Sequence, residues 1–459
     1  MMTHQVWFSQ VGRAISLCLG FLMISVCAHA SVKASDALDA YVNKDDGKYA
    51  WEVHETAKLK GITVYDLTLT SQQWRETVWK HQLTLFVPET MVSGKTALLF
   101  ITGGSIKNGD INRSSLTGDD AQRFSKLAMA SGAPAAVLKQ TPNQPLFGDM
   151  TEDEIISYTF DKFLNDRDPE WPLLLPMVKS AVKAMDALTE LSKKELKEPI
   201  EKFVISGGSK RGWTTWLTGA YDSTHEKRVA AIAPMVIDVL NMKPQMDYQL
   251  TAWDEYSIQI QDYTEKGIQQ KMSTDEGADL LAIVDPYSYR ERLTMPKLIF
   301  IGCNDPYWPV DAIKFYWDDL KEEKYIHYVP NAGHDLGDGE QAIKALAGFF
   351  AETVKGQKHP KLEWKLTESD GKAGLTVSSE APAQTIRVWY ATSSDRDFRN
   401  NLWQSQKMKA DSYTSTIPIP YPKKGYLAAY GEVEFKSEAV GEYTKTTRMF
   451  VFDANGLVD

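Results

Sequence analysis

The sequence predicts an α/β protein followed by a smaller all-β part. Between residues 84 and 350, short runs of apolar and β-branched residues alternate with segments of helical periodicity, which is typical of a mostly parallel sheet covered on both faces. Beyond residue 360, short stretches of alternating polar and apolar residues are separated by turn residues, which indicates an immunoglobulin-like β-sandwich. A length of 459 residues, about three typical domains, accommodates both parts.

The first thirty residues have the pattern of a signal peptide. Arg13 precedes an apolar run at residues 14–26, and Ala28-His29-Ala30 is a typical cleavage site. We therefore expect a mature chain that begins at Ser31 and is exported to the periplasm or the medium. The apolar run is too short to span a bilayer, and no later run is longer, so we expect no membrane span.

The composition and the short motifs argue against nucleic-acid binding, a disulfide and a bound metal. Acidic residues outnumber basic ones by 61 to 51, and no basic stripe is present, so nucleic acid is a poor candidate. Cys303 is the only cysteine after the signal peptide, and the chain has no H-E-x-x-H motif. We therefore expect neither a disulfide nor a metal, and no cofactor.

Residues 31–354 are predicted to form the α/β domain. Helices are predicted at residues 173–191 and 210–219, and residues 241–289, rich in Gln, Asp, Tyr and Met, interrupt the alternation and are predicted to form a helical cap. Strands are predicted at residues 97–101, 134–138, 202–205, 229–233, 297–301 and 324–329.

Residues 361–459 are predicted to form the C-terminal β-sandwich domain. A polar linker at residues 353–360 separates it from the α/β domain. Its strands are predicted at residues 362–366, 374–377, 385–390, 413–417, 426–435 and 448–452.

Ser209 is the candidate nucleophile. It follows the predicted strand 202–205 and two glycines, and it precedes a predicted helix, as a nucleophile elbow requires. The turn departs from G-x-S-x-G, because Arg211 stands where the second glycine belongs and Gly212 comes one place later.

Asp305 and His334 are the candidate partners of Ser209. Each follows a later strand of the predicted sheet, and the order Ser, Asp, His is that of the α/β-hydrolase fold. An imidazole takes the serine proton, and a carboxylate holds the imidazole in the right tautomer. Asp311 and Asp335 are rival acids, the first well beyond its strand and the second next to the histidine.

The tetrahedral intermediate requires an oxyanion hole. The backbone N–H of Lys210, directly after the serine, is one expected donor. The second is expected from Gly104 or Ser105, in the glycine-containing loop after the strand 97–101.

The chain resembles the PhoPQ-activated pathogenicity-related protein family over most of its length. This resemblance implies an exported α/β-hydrolase-like protein with a β-rich C-terminal part. The elbow is also similar to the G-C-S-R-x-G of glucuronoyl methylesterases, which implies an ester hydrolase with a basic side chain near the oxyanion. The residues that carry the family resemblance are Leu38-Asp39-Ala40-Tyr41-Val42, Thr70-Ser71-Gln72-Gln73-Trp74, 99–105, Pro142-Asn143-Gln144-Pro145-Leu146, 168–173, 207–213, Asp285-Pro286-Tyr287-Ser288-Tyr289 and 330–334.

Two functions remain open. The first is a metal-free serine hydrolase that cleaves an ester or amide bond in a small-molecule, peptide or carbohydrate-ester substrate. The second is a secreted binding or signalling protein on a hydrolase scaffold without turnover. Candidate substrate-binding residues are Arg211, Asn143, Gln144 and Trp171, each of which equally suits a structural role.

Overall fold

The computed structural model describes residues 33–408 and 413–458. The predicted signal peptide, residues 1–30, and the predicted start at Ser31 lie outside the described residues. Within the described ranges, no helix is both long enough and apolar enough to cross a membrane.

The α/β part consists of a large sheet with helices on both faces. Its elements in chain order are α1 (Ala37–Asn43), β1 (Ala50–Leu59), β2 (Ile62–Trp74), β3 (Thr77–Pro88), β4 (Thr96–Ile101), β5 (Ile106–Lys107), β6 (Asp110–Ile111), α2 (Asp119–Ser131), β7 (Ala135–Leu138), α3 (Glu152–Asp166), α4 (Leu174–Glu195), β8 (Lys202–Gly208), α5 (Lys210–Asp222), β9 (Val229–Met235), α6 (Met242–Trp253), α7 (Gln261–Thr264), α8 (Ile268–Lys271), α9 (Asp275–Val284), β10 (Lys297–Gly302), β11 (Lys324–Val329) and α10 (Glu340–Val354).

The six predicted strands form the parallel centre of the sheet. Their spatial order is β7, β4, β8, β9, β10 and β11, and every neighbouring pair is parallel. All six residues of β10 are buried, as expected where helices cover both faces. One hydrophobic cluster contains α4 and α5, and another contains α2 and α10, which places these helix pairs on opposite faces. The α/β-hydrolase fold is thus confirmed.

Three antiparallel strands precede the parallel ones and were not predicted. β1, β2 and β3 pair in sequence, and β3 joins β7 at one side of the parallel strands. β1 carries mostly exposed or half-exposed residues along its whole length. The search for apolar runs missed β1 because few of its residues are buried, and it missed β2 and β3 because buried polar residues such as Asp66 and Gln82 interrupt their apolar ones.

The predicted cap is confirmed as helical. The helices α6 to α9 follow β9, and a 3-10 helix at Pro286–Arg292 leads back to β10. Thr274 and Asp285 cap the beginnings of α9 and of this 3-10 helix, because each side chain accepts a backbone N–H from the first turn.

The C-terminal part is a two-layered β-structure, as predicted. One layer is a three-stranded antiparallel sheet, and the other continues the large sheet through a pairing of Ile326 in β11 with Thr446. The two layers face each other across an apolar cluster that includes Leu375 and Ile417 on one side and Val433 on the other. Its strands are β12 (Leu362–Ser369), β13 (Lys372–Ser379), β14 (Thr385–Ser393), β15 (Gln404–Lys407), β16 (Thr414–Pro420), β17 (Tyr426–Ser437), β18 (Gly441–Thr446), β19 (Phe450–Asp453) and β20 (Gly456–Leu457). The division into domains at residues 354–361 stays a prediction.

Candidate active site

Ser209 lies in the tight turn between β8 and α5. Its backbone has φ 56° and ψ −125°, a conformation that is costly for a residue with a side chain and that lifts the hydroxyl away from the sheet. Gly212 permits the close approach of α5, because a Cβ there would lie 2.7 Å from the carbonyl oxygen of Met235. Gly212 stands one position later than the second glycine of G-x-S-x-G, but it still allows the helix after Ser209 to pack closely.

The three predicted triad side chains come together. His334 Nε2 lies 2.9 Å from Ser209 Oγ, and His334 Nδ1 lies 2.9 Å from Asp305 Oδ2. The other carboxylate oxygen of Asp305 accepts the backbone N–H of Tyr307 at 2.9 Å. The Asp305 side chain is buried, whereas that of His334 is about a quarter exposed. This geometry suits transfer of the serine proton to the imidazole.

The two rival acids are engaged elsewhere. Asp311 accepts the hydroxyl of Tyr248 with both oxygens and pairs with Lys314 at 3.1 Å. Asp335 accepts the backbone N–H of Gly337 at 2.9 Å. Asp305 is thus the carboxylate that contacts the imidazole.

The expected oxyanion donors lie at the same edge of the sheet. Lys210 is the first residue of α5, so its N–H has no acceptor within the helix. β4 pairs with β8, with Ile101 opposite Gly207, which brings the loop with Gly104 and Ser105 beside the elbow. Gly104 has φ 142°, and a Cβ there would lie 2.8 Å from Gln140 Nε2, so the loop requires glycine. The Ser105 side chain accepts the amide of Asn112 at 3.2 Å.

The basic side chains after Ser209 are paired with acids. Arg211 forms two hydrogen bonds of 2.7 Å to Glu152, and its Nε donates to the carbonyl of Thr141. The same guanidinium lies behind the glycine loop, 2.7 Å from where a Cβ of Gly103 would be. Lys210 Nζ lies 2.8 Å from Asp153. Both cations therefore form ion pairs with acidic residues beside the elbow.

The other predicted substrate-binding residues have different positions. Asn143 donates to the carbonyl of Lys80, and Gln144 exchanges two hydrogen bonds with Glu152. Trp171 lines a surface depression together with Phe147 and other residues, away from the cavity that Ser209 lines. Their role in substrate binding stays a prediction.

Glu152 and Asp153 were not singled out from the sequence. They form the first turn of α3, and the acidic run after Thr151 indicates a helix start, but no sequence signal connects it to the elbow. Burial raises the pKa of Glu152, but the hydrogen bonds and charge of Arg211, with Lys210 and Gln144, outweigh it and lower that pKa to about 2.

A cavity opens beside Ser209. Ser209 and His334 both line it, and the cap supplies half of its wall. Asp153, in this wall, also accepts the hydroxyl groups of Tyr263 at 2.9 Å and Tyr307 at 3.4 Å.

A segment of the C-terminal part anchors the two loops that carry Asp305 and His334. The Asn304 amide donates to the carbonyls of Phe398, Arg399 and Asn401 at 2.8–3.2 Å. Asn331 exchanges two hydrogen bonds with the backbone of Trp403. We call residues 395–403, between β14 and β15, the anchor segment.

The anchor segment also contacts the cap. Arg396 donates to the Tyr248 hydroxyl at 2.6 Å, and the Arg399 guanidinium lies 4.1 Å from the ring centre of Trp253. One segment therefore contacts the cap and both loops that carry Asp305 and His334. Across the described ranges, no group of three or more His, Cys, Asp or Glu side chains is arranged to hold a metal ion.

Comparison with known proteins gives three results. A family model described as PhoPQ-activated pathogenicity-related protein matches residues 38–399. Autocrine proliferation repressor protein A of Dictyostelium discoideum is 35% identical over 448 residues, which cover 89% of this chain and 88% of that protein. Solved structures with a similar fold include acetyl xylan esterase 1 from Thermoanaerobacterium sp., with a TM-score of 0.47, 16% identity, and coverage of 70% of this chain and 93% of that one. Glucuronoyl esterase from Solibacter usitatus has a TM-score of 0.43 and 14% identity, with coverage of 70% and 91%.

Proposed function

The chain belongs to the PhoPQ-activated pathogenicity-related protein family, and from that premise we propose that it is a serine hydrolase that cleaves an ester or amide bond. The observation that carries the proposal is the hydrogen-bond chain from Ser209 through His334 to Asp305, with both contacts at 2.9 Å. A serine hydroxyl is a weak nucleophile, and a positioned imidazole makes it reactive.

Acylation begins when Ser209 Oγ attacks the substrate carbonyl carbon and its proton passes to His334 Nε2. Asp305 accepts the Nδ1–H and stabilises the imidazolium. The backbone N–H of Lys210, with that of Gly104 or Ser105, donates to the oxyanion of the tetrahedral intermediate. The intermediate then collapses, the bond to the leaving group breaks, and His334 returns the proton to the leaving group.

Deacylation repeats these steps with water. His334 removes a proton from the water, whose oxygen bonds to the acyl-enzyme carbonyl carbon. The bond from that carbon to Ser209 Oγ then breaks, and His334 returns the proton to Oγ. The products are a carboxylic acid and the alcohol or amine. Every proton moves through side chains of this protein.

Labelling with a fluorophosphonate tests the proposal. The exported wild-type protein should be modified at Ser209, and Ser209→Ala should abolish both the labelling and the hydrolysis of an ester panel. Ser206→Ala is the matched control, because Ser206 is buried in β8 and donates to the carbonyl of Ala233. Hydrolysis that persists in Ser209→Ala would contradict the proposed mechanism.

Export through the predicted signal peptide is a further part of the proposal. The observation behind it is the apolar run at residues 14–26 followed by Ala28-His29-Ala30. Intact-mass measurement of the exported protein should give a chain beginning at Ser31. An exported chain that retains Met1 would contradict it.

A binding or signalling protein without turnover is the second candidate. The relative at 35% identity is named for the repression of proliferation rather than for hydrolysis, which favours this candidate. It predicts that folded, exported protein is neither labelled at Ser209 nor active on any ester or aminoacyl substrate. Stoichiometric labelling with turnover would exclude it.

A further inference from the structure

The cavity beside Ser209 is a candidate site for part of the substrate, because small-molecule sites are concave and lined mainly by apolar side chains. Because Ser209 and His334 both line it, a substrate that reaches the nucleophile extends into this cavity.

The wall of the cavity is built mainly from buried apolar side chains. The cap contributes Met242, Met246 and Leu280, and the helices α3 and α5 contribute Phe160 and Trp213. Methionine side chains are flexible and polarisable, so they adapt to apolar groups of differing shape.

The charged groups of the wall neutralise one another. Asp153 contacts the Lys210 ammonium at 2.8 Å and accepts two tyrosine hydroxyls. Apart from Ser209 and His334, two buried polar atoms of the wall have no hydrogen-bond partner among the described residues, Gln269 Oε1 and Trp308 Nε1. Two such atoms are too few for the several hydroxyl groups of a sugar ring or for a charged side chain, which would lose more hydrogen bonds to water here than it gains.

We propose that the substrate is an ester that carries a hydrocarbon group and that this group fills the cap cavity. The inference rests on the proposed function and specifies its substrate class. The hydrocarbon group belongs either to the acyl chain or to the alcohol of the ester, and the two arms of the experiment distinguish these sources.

The first experiment measures kcat/KM over two series of esters. One series is p-nitrophenyl acetate, butyrate and octanoate, and the other is ethyl, butyl and octyl acetate. Each buried methylene should raise kcat/KM by about fourfold. In one of the two series, kcat/KM for the eight-carbon ester should therefore exceed that for the shortest ester by well over tenfold. Preference for the shortest member in both series would overturn the inference.

Two substitutions at Met246 test whether this cavity sets the preference. Met246→Trp fills the cavity and should lower the ratio of long-chain to short-chain kcat/KM by about tenfold, whereas Met246→Ala should maintain or raise that ratio. Leu250→Trp is the matched control, because Leu250 lies one turn further along α6, is about 40% exposed and does not line the cavity. Equal ratios in Met246→Trp, Met246→Ala and the wild type would overturn the inference.

A binding measurement separates this inference from the proposed function. Calorimetry with Ser209→Ala should give a Kd for p-nitrophenyl octanoate at least tenfold lower than for the acetate. Absence of labelling and turnover in the wild type would overturn the proposed function alone. A Kd independent of chain length would overturn the inference even for an active enzyme.

Discussion

Asp305 is held on both carboxylate oxygens, one by His334 Nδ1 and the other by the backbone N–H of Tyr307. The ring of Tyr307 also lies 4.2 Å from the imidazole of His334, centre to centre. These contacts fix the plane of the imidazole before a substrate arrives, which is the condition for efficient proton transfer.

Asp305→Asn should lower kcat by up to ~10⁴-fold with little change in stability, because the amide retains the shape but favours the wrong imidazole tautomer. The control is Asp335→Asn, whose carboxylate accepts only the nearby N–H of Gly337 among the hydrogen bonds described. Steady-state kinetics of both variants provide the measurement. Normal kcat in Asp305→Asn would show that another acid serves the histidine.

The charge of Glu152 should make a pH-dependent contribution to stability. Its pKa is lowered from 4.5 to about 2 in the folded protein, so the contribution is complete above about pH 5 and is lost as the pH falls toward 2. Denaturant unfolding should therefore show a stability difference between wild type and Glu152→Gln at pH 7 that shrinks over this window. The control Glu154→Gln, on an exposed position of α3, should show a smaller difference, and a constant difference for Glu152→Gln would contradict the assignment.

The three residues of the candidate triad could be brought together from the sequence, whereas the ion pairs around them could not. Ser209, Asp305 and His334 each follow a strand end, and parallel strands bring such positions together. Arg211 was considered as a substrate contact because a cation gains nothing from a helix N-terminus. Its partner Glu152 lies 59 positions away on another helix, and no local pattern encodes that pairing.

At the scale of elements, the anchor segment links the C-terminal part to the loops after β10 and β11. Asn304 precedes the acid directly, and its amide reaches three carbonyls of that segment. Asn331 precedes the histidine by three residues and is bound to the same segment. The distance between Asp305 and His334 therefore depends on the anchor segment, which connects β14 and β15 in the C-terminal part.

Asn304→Ala should lower kcat by ~10–100-fold with a smaller change in KM, because a displaced carboxylate orients the imidazole poorly. The pH at half-maximal kcat should also shift, which a purely structural role would not produce. The control is Asn165→Ala, which removes only contacts with Asp161 within α3. An unchanged pH profile would contradict the role assigned to the anchor segment.

Strand burial explains which elements the sequence analysis found. The central strands are mainly apolar because both faces are covered, and the bounds of all six agree with the predicted ones within three residues. Few residues of β1 are buried and β15 is fully exposed along its four residues, whereas buried polar residues such as Asp66 and Gln82 interrupt the apolar pattern of β2 and β3. Their pairing comes from neighbouring strands rather than from an apolar run of their own.

At the scale of the whole molecule, the two predicted domains share one hydrophobic cluster. Cys303, Ile326 and Tyr328 from the α/β part belong to the same cluster as Trp403 and Tyr430 from the C-terminal part. The rings of Tyr328 and Tyr430 lie 5.2 Å apart, centre to centre. The domain boundary near residues 354–361 is thus crossed by a packed interface.

Removal of residues 361–459 should lower the melting temperature and the solubility of the remaining chain, because it exposes this apolar surface. Catalysis should fall as well, since the anchor segment is lost. Thermal unfolding and labelling of Ser209 in the shortened protein provide the measurement. A soluble, fully active fragment would show that the α/β part is independent of the sandwich.

The contacts of the anchor segment also constrain how this protein can diverge. An exchange of the β-sandwich with that of another lineage would remove the carbonyls that Asn304 and Asn331 bind, so recombination at the linker would carry a catalytic cost. Substitutions at these two asparagines should be inherited together with changes in residues 398–403. The two parts of the chain are therefore expected to share one evolutionary history instead of assorting as separate modules.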